Sequence, residues 1–294
     1  MTRNRRRGGT AGPPPTGCSA SSGASTPYSV LLCVYRHDDP TYFAEALDSL
    51  LAQTARSDDV VIAVDGPVGR DLADTISRYT AAHPEIRPCW LPQNVGVGRA
   101  LQEVLPRCRH DIVLRMDADD VCVPDRAARQ LAFLDAHPEV ALLSATISEF
   151  VGTTDHVVTL RRVPATHAEI VEFARRWNPI NQPAAVFRKQ AALSVGGYQH
   201  FPRFEDYYLW VRMLAAGYRA ANLPESLLYY RLSPQNLDRR RSWVATRSAV
   251  RFHLWKRRVG FANRCDTAYA LMILIGAALA PGPVYRLIYR IARR

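Results

Sequence analysis

Lysine is nearly absent from the chain: of 38 basic residues, only Lys189 and Lys256 are lysine. A GC-rich genome produces such an arginine bias as readily as function does, so the bias alone excludes nothing. Cysteine is more informative. Six are present, Cys18, Cys33, Cys89, Cys108, Cys122 and Cys265, and none forms a CxxC pair or a Cys/His zinc spacing. Most lie among apolar residues and read as buried thiols, which fits a reducing cytosol. The histidines form no metal set. His83 and His137 each stand in a His-Pro-Glu sequence after a helical pattern, where a cation suits the helix end. A secretory signal is missing, because Arg3 to Arg7 lead into Gly, Pro, Ser and Thr and not into an apolar stretch. A comfortable membrane span is missing too. Thr267–Tyr285 carries no charge, but Pro281-Gly282-Pro283 interrupts it short of the ~20 residues that a span needs. No internal repeat is visible.

What remains is ordinary globular material. The 294 residues are 48% apolar and 22% charged, enough for two average domains or one larger one. The formal net charge of +11 is unevenly placed. Residues 1–26 hold four arginines and no acid, and their Gly, Pro, Ser and Thr content predicts a disordered basic tail. Residues 231–294 carry 14 basic and two acidic residues, for +12. The long middle segment is left mildly acidic at −5, which speaks against a nucleic-acid partner.

Between residues 28 and 147, strand-like apolar runs alternate with helical patterns. Tyr28–Tyr35, Asp59–Val64, Ile86–Leu91, Asp111–Met116 and Val140–Ile147 read as strands. Pro40–Gln53, Arg70–Ala82, Gly98–Leu105 and Pro124–Ala136 read as helices, the last with the proline that helix starts favour. Near-continuous apolar strands predict an α/β fold with a mostly parallel sheet covered by helices on both faces. Ligands of such sheets bind beyond the carboxyl ends of the strands. The residues to inspect are therefore Tyr35 to Asp39, Asp65-Gly66, Asn94 to Arg99, and Asp117 to Asp120. Residues 151–230 read as mixed, with a hairpin near 156–163, a helix from Glu205 to Ala216 and a strand at Leu227–Tyr230. Beyond them, Arg239–Arg258 reads as a basic helix with Arg240, Arg247, Arg251 and Arg258 on one face. Val284–Arg294 reads as a short amphipathic helix of the interfacial kind.

Several constellations carry chemistry. Asp117-Ala118-Asp119-Asp120 sets three carboxylates within four residues. A divalent cation relieves their repulsion, and Mg²⁺ or Mn²⁺ held this way also binds a diphosphate. A solvated acidic turn capping the next helix is the plainer reading. Glu205-Asp206 opens a helix striped with Leu209, Trp210, Met213 and Leu214. Plain N-capping fits the pair, and so does a general base that takes a proton from an acceptor hydroxyl. Asn94-Val95-Gly96-Val97-Gly98-Arg99 suits an anion at a helix N-terminus, or an ordinary strand-to-helix turn. It is not a full GxGxxG. Asp65 is available to a base or ribose, or simply forms a turn with Gly66-Pro67. The Trp177–Pro183 loop and the Gly196-Gly197-Tyr198 turn fit either function or plain loop structure.

Taken together these stretches resemble the inverting family-two glycosyltransferases of GT-A fold, nearest to bacterial enzymes that build capsular and exopolysaccharide repeat units. The matching segments are VYRHDDP (34–40), SLLAQT (49–54), VVIAVDGP (60–67), NVGVGRAL (94–101), RMDADD (115–120), PDRAARQ (124–130), NPINQPAAVFRK (178–189), GGYQ (196–199) and FEDYYLWVRMLAAG (204–217). The resemblance implies a Rossmann-like GT-A domain at 27–231; the residues beyond it, 232–294, read as a basic helical extension with an apolar segment. It implies that Tyr35 and Asp65 hold the nucleotide base and that Asn94 and Arg99 lie near the nucleotide and phosphates. Asp119 would ligate the metal directly, with Asp117 near ribose and metal. Asp206 would be the catalytic base, and Glu205 would place the acceptor.

The implied activity is metal-dependent, inverting transfer of a sugar from a nucleotide-diphosphate sugar to a saccharide or lipid-linked acceptor, with Mn²⁺ or Mg²⁺ as cofactor. Two rivals differ in kind. A polyprenyl-phosphate sugar synthase shares the fold and the DxD and needs no strong base at Asp206. A non-catalytic membrane-binding protein with a degenerate nucleotide-binding fold binds without turnover. This chain has Asp38 and Gln182 where related sequences often carry Glu and His, so no acceptor role passes to Gln182. The +12 tail predicts an anionic membrane surface as partner and a peripheral place at the inner face of the plasma membrane, or else a helical tail that packs its apolar run on the core.

Overall fold

The structure is a computed structural model and describes residues 26–232 and 243–279. Residues 1–25 of the expected tail, Arg240, Pro281-Gly282-Pro283 and Val284–Arg294 lie outside the described residues. In chain order the elements are β1 (Tyr28–Val34), α1 (Pro40–Leu51), β2 (Asp59–Val64), α2 (Arg70–Ala82), β3 (Ile86–Trp90), α3 (Val97–Val104), β4 (Ile112–Arg115), β5 (Val121–Cys122), α4 (Arg126–Ala136), β6 (Val140–Phe150), β7 (Val157–Arg161), α5 (His167–Ala174), β8 (Val186–Arg188), α6 (Lys189–Ser194), α7 (Glu205–Ala215), β9 (Arg219–Arg231), α8 (Trp243–Arg258) and α9 (Arg264–Leu279).

The strands form one sheet in the order β3-β2-β1-β4-β8-β6-β9-β5, with β7 paired to β6. β1 pairs parallel with β2 and β4, β2 with β3, and β6 with β9. The short β8 enters antiparallel between β4 and β6, so β6 still points the same way as β4. Six strands thus share one direction, while β5, β7 and β8 oppose them. Where β9 carries Pro224, which has no N–H for the ladder, its register against β6 slips between Leu223 and Ser226. Proline inside a sheet is tolerated at such a bulge.

Alternation along the strands divides the core between two faces. Val30, Leu32, Val34, Val60, Ile62 and Val64 turn toward α1, α2 and α4, where Phe43, Leu47, Ile76 and Leu131 meet them. Leu31, Val61, Ala63 and Val113 turn the other way, onto Leu101 of α3, Ile170 of α5 and Trp210 of α7. Asp39 starts α1 by accepting the N–H groups of Thr41 (2.8 Å) and Tyr42 (3.2 Å), with Pro40 in the first turn. Met116 lies buried at the end of β4, so that Asp117 emerges at the rim of the sheet.

The C-terminal helices pack on the second face. Phe252 of α8 is fully buried and meets Tyr207 at 4.6 Å, Phe204 at 5.3 Å and Phe201 at 5.4 Å between ring centroids. Asp266 of α9, also fully buried, pairs with Arg176 at 2.6 Å. Among the described residues no helix is long and apolar enough to cross a membrane. Arg247, Arg251 and Arg258 lie exposed on α8, as their spacing predicts. Replacing a buried aromatic by alanine costs about 3–5 kcal/mol. Phe252→Ala should therefore lower the unfolding free energy by about that amount, read from urea denaturation. A loss below about 1 kcal/mol would show that α8 is not part of the cooperative core.

Candidate active site

The carboxyl ends of β1, β2 and β4 bring three loops together. After β1, Asp38 closes a turn on Tyr35, accepting its N–H at 2.9 Å and donating its own N–H to the Tyr35 carbonyl at 3.0 Å. After β2, Asp65 is buried and its carboxylate is well supplied with donors. It accepts the Val95 N–H at 2.7 Å, the Gly96 N–H at 2.9 Å and Asn94 Nδ2 at 3.0 Å. Asp65 therefore fixes the loop that starts α3. Gly66 makes that approach possible: its φ is +83°, and a Cβ there would stand 2.4 Å from the Asn94 nitrogen. Asn94 and Arg99 are exposed on the same loop and the first turn of α3.

Gly98 has a different task. A Cβ on it would lie 2.8 Å from the Glu205 Cβ. The missing side chain lets α3 sit against the start of α7, which joins the Asn94–Arg99 segment to the Glu-Asp pair.

After β4 comes the acidic loop. Arg115, buried at the end of the strand, donates from Nη2 to Asp117 at 2.7 Å and from Nη1 to the Leu31 carbonyl at 3.2 Å. Asp120 is fully buried. Its Oδ1 accepts the Arg231 N–H at 2.9 Å, and its Oδ2 has no hydrogen-bond partner among the described residues. Burial and the charges of Asp119 and Asp117 push its carboxyl well above the usual range. Arg231 binds the loop from below. Its Nε donates to the Asp119 carbonyl at 2.8 Å, Nη1 to the Gly152 carbonyl at 2.9 Å, and Nη2 to the Glu45 carboxylate. The guanidinium also lies 3.9 Å from the Tyr42 ring centroid and 4.6 Å from that of Phe150.

Among the described residues no three His, Cys, Asp or Glu side chains make a ready metal cluster. Asp117 and Asp119 are hard oxygen donors on one short loop, and neither is fully buried. That set fits a cation of the Mg²⁺ or Mn²⁺ kind, which takes one or two carboxylates and completes its shell with phosphate oxygens and water.

At the start of α7, Glu205 and Asp206 are partly buried. Burial and the Asp206 charge push Glu205 up to about 7, with Asp117 adding to the rise. Burial also raises Asp206, again with a contribution from Asp117. Three things work against that rise: the Tyr207 N–H, Asn178 Nδ2 at 2.9 Å, and the Arg161 charge. The acidic loop and the Glu-Asp pair thus lie within electrostatic reach of each other.

The family model for glycosyl transferase family 2 matches residues 29–195, more than half of the chain. The chain belongs to that family. Similar proteins carry the likeness past residue 195, over nearly the whole chain. The amylovoran biosynthesis glycosyltransferase AmsE of Erwinia amylovora is 36% identical over 272 residues, covering 91% of this chain and 99% of its own. A UDP-Gal:alpha-D-GlcNAc-diphosphoundecaprenol beta-1,3-galactosyltransferase of Escherichia coli is 30% identical over 269 residues, covering 90% and 96%. Among solved structures, the mannosyltransferase PcManGT of Pyrobaculum calidifontis, in complex with GDP-Man and Mn²⁺, aligns with a TM-score of 0.60 at 18% identity. That alignment covers 90% of this chain and 79% of the other. The fold of this family 2 glycosyltransferase is GT-A.

Reading the sequence missed three side chains that shape the site: Arg115, Arg231 and Asn178. Arg231 and Asn178 act through partners far off in sequence, although Asn178 stands inside the flagged Trp177–Pro183 loop, whereas Arg115 pairs with Asp117 inside the RMDADD segment itself. In this glycosyltransferase the Asn178 bond stabilises the charged form of Asp206. Asn178→Ala should therefore move the Asp206 titration to higher pH, followed by carboxyl-carbon NMR. An unmoved or lowered midpoint would remove that bond from the account.

Proposed function

We propose that the enzyme transfers a sugar, with inversion, from a nucleotide-diphosphate sugar to a hydroxyl of a saccharide or lipid-linked acceptor in surface polysaccharide synthesis. The observation that carries this reading is the convergence of the Asp117–Asp120 loop and the Glu205-Asp206 pair at one end of the sheet. Asp206 acts as the base. It takes the proton of the acceptor hydroxyl while that oxygen forms a bond to the anomeric carbon. The bond from the anomeric carbon to the diphosphate breaks, and its electron pair leaves with the nucleoside diphosphate. Asn178 holds the Asp206 carboxylate in place. Glu205 lies beside it, and with a pKa near neutrality it can offer a proton to another acceptor oxygen.

On the donor side, Tyr35 and Asp65 form the base end of the site, and Asn94 and Arg99 the phosphate side. Asp119, with Asp117, would hold Mn²⁺ or Mg²⁺, which when bound supplies Lewis-acid stabilisation of the departing diphosphate. The GDP-Man and Mn²⁺ of PcManGT support a metal-bound nucleotide sugar here. The diphosphoundecaprenol-linked acceptor named for the E. coli relative supports a lipid-linked acceptor. A lipid phosphate needs no proton removed, so the environment built around Asp206 favours a hydroxyl. Asp206→Asn should abolish transfer yet keep nucleotide binding, and near-normal turnover would overturn the base assignment. Asp119→Ala should end metal-dependent nucleotide binding in calorimetry with and without chelator.

The C-terminal layer suits a peripheral place at the inner membrane face. Arg247, Arg251, Arg257, Arg258 and Arg264 are exposed there, alongside exposed Leu254, Val259, Tyr269 and Met272. The one acid of the two helices, Asp266, is buried against Arg176. Each basic residue near an anionic surface contributes about 1 kcal/mol. Exchanging Arg247, Arg251 and Arg258 for Glu should weaken co-sedimentation with anionic vesicles about 100-fold or more. Unchanged sedimentation would place the membrane contact elsewhere or nowhere.

A further inference from the structure

Lys256 stands in the second face of the core and is fully buried. An ammonium group has three N–H donors, and each meets an acceptor. Nζ donates to the Ala174 carbonyl at 3.1 Å, the Arg175 carbonyl at 2.9 Å and the Tyr207 hydroxyl at 2.8 Å. The first two carbonyls close α5, at the helix end where the dipole favours a cation. Tyr207 in turn donates its hydroxyl to the Ala174 carbonyl at 2.6 Å. The ammonium also lies 4.6 Å from the Tyr207 ring centroid and 5.0 Å from that of Phe252.

The chain positions of these partners are what matter. Tyr207 directly follows Asp206. Ala174 and Arg175 lead, within three residues, to Asn178, whose side chain bonds Asp206. The two segments that meet at the base are α7 and the stretch after α5, and Lys256 ties one to the other. A second clamp from the same layer reinforces the grip, since Arg176 is held by Asp266 through Nε at 2.7 Å and Nη2 at 2.6 Å.

We propose that Lys256 is a positioning residue for transfer: through Tyr207 and the end of α5 it sets the placement of Asp206 against Asn178. The C-terminal helices are then part of the catalytic apparatus as well as a surface layer. The inference rests on the reading of Asp206 as the base. A displacement of about 1 Å at a reacting group can reduce turnover by 10²-fold, and nucleotide binding at the opposite loop has no need of this contact.

The test is a split between turnover and donor binding. Lys256→Met keeps the volume and removes all three donors. Tyr207→Phe keeps the ring and removes one link, which guards against a Lys256 variant that does not fold. In full-length protein, with the nucleoside diphosphate and Mn²⁺ as binding probe, both variants should keep the nucleotide Kd and the donor KM within about twofold. The kcat for transfer should fall about tenfold or more, and the double variant should lose little beyond Lys256→Met alone. Lys256→Arg should not restore kcat, because a planar fork replaces a compact three-donor group. A folded Lys256→Met or Tyr207→Phe enzyme with kcat within twofold of normal overturns the proposal. So does a parallel loss of kcat, nucleotide binding and thermal stability, which marks a structural role only. If Asp206→Asn itself retains transfer, the reading of the base fails first, and that outcome is distinct from the other two.

Discussion

Carboxylates crowd the carboxyl end of the sheet, and their mutual repulsion sets the terms for the residues beneath them. The Asp117 charge raises the proton affinity of Asp120, Glu205 and Asp206, and the Asp206 charge raises that of Glu205. Bulk solvent does not relieve this, because much of the cluster is out of water. Relief comes instead from buried cations placed one layer down. Arg115 pairs with Asp117, while Arg231 holds the Asp119 carbonyl with its guanidinium and the Asp120 carboxylate with its backbone N–H. A buried guanidinium offsets its own desolvation only with good geometry and several acceptors; Arg231 has three, while Arg115 has two and its Nε has no hydrogen-bond partner among the described residues. The outer edge of the acidic loop is where a cation and a diphosphate would meet it.

The Glu-Asp pair shows how neighbours with the same chemistry acquire different roles. Both are raised by burial, and each is opposed by a backbone N–H, but Asp206 also has a side-chain amide donor, Asn178, to favour its charged form. Glu205 packs against the bare backbone of Gly98 and carries the burden of its neighbour's charge. Pairs whose environments push their titrations apart are the ones in which one member can act as base while the other keeps a proton.

Much of this is legible in the chain. The first four strands of the sheet and their helices show as apolar runs because a parallel sheet is buried on both faces. The loops that matter follow from the rule that ligands bind beyond the carboxyl ends. What the chain does not reveal depends on pairs far apart in sequence. The antiparallel entry of β8 between β4 and β6 is set by pairing partners some 40 to 70 residues away, beyond the reach of local pattern. Arg231 sits in sequence just past a strand-like run, yet it holds a loop at 119–120. Gly98 reads as part of a phosphate-type turn, and its bare face in fact meets Glu205. The helix expected from Pro124 begins at Arg126, a boundary shift of the usual kind.

The scarcity of lysine acquires a physical sense in this frame. Where the fold needs a planar fork against a carboxylate or stacked on rings, it uses arginine, as at positions 115 and 231. Loop carbonyls are served by both kinds of cation, by Arg231 and Arg212 as well as by the two lysines. Lys189 donates to the Cys108 carbonyl at 2.7 Å, and Lys256 to those of Ala174 and Arg175. A guanidinium directs its donors in one plane, while acceptors drawn from two different segments around a single buried point call for a tetrahedral arrangement. Exposed arginines of α8 and α9 make that surface basic, buried Arg115 and Arg231 hold acids in place, and the two lysines hold carbonyls of other segments.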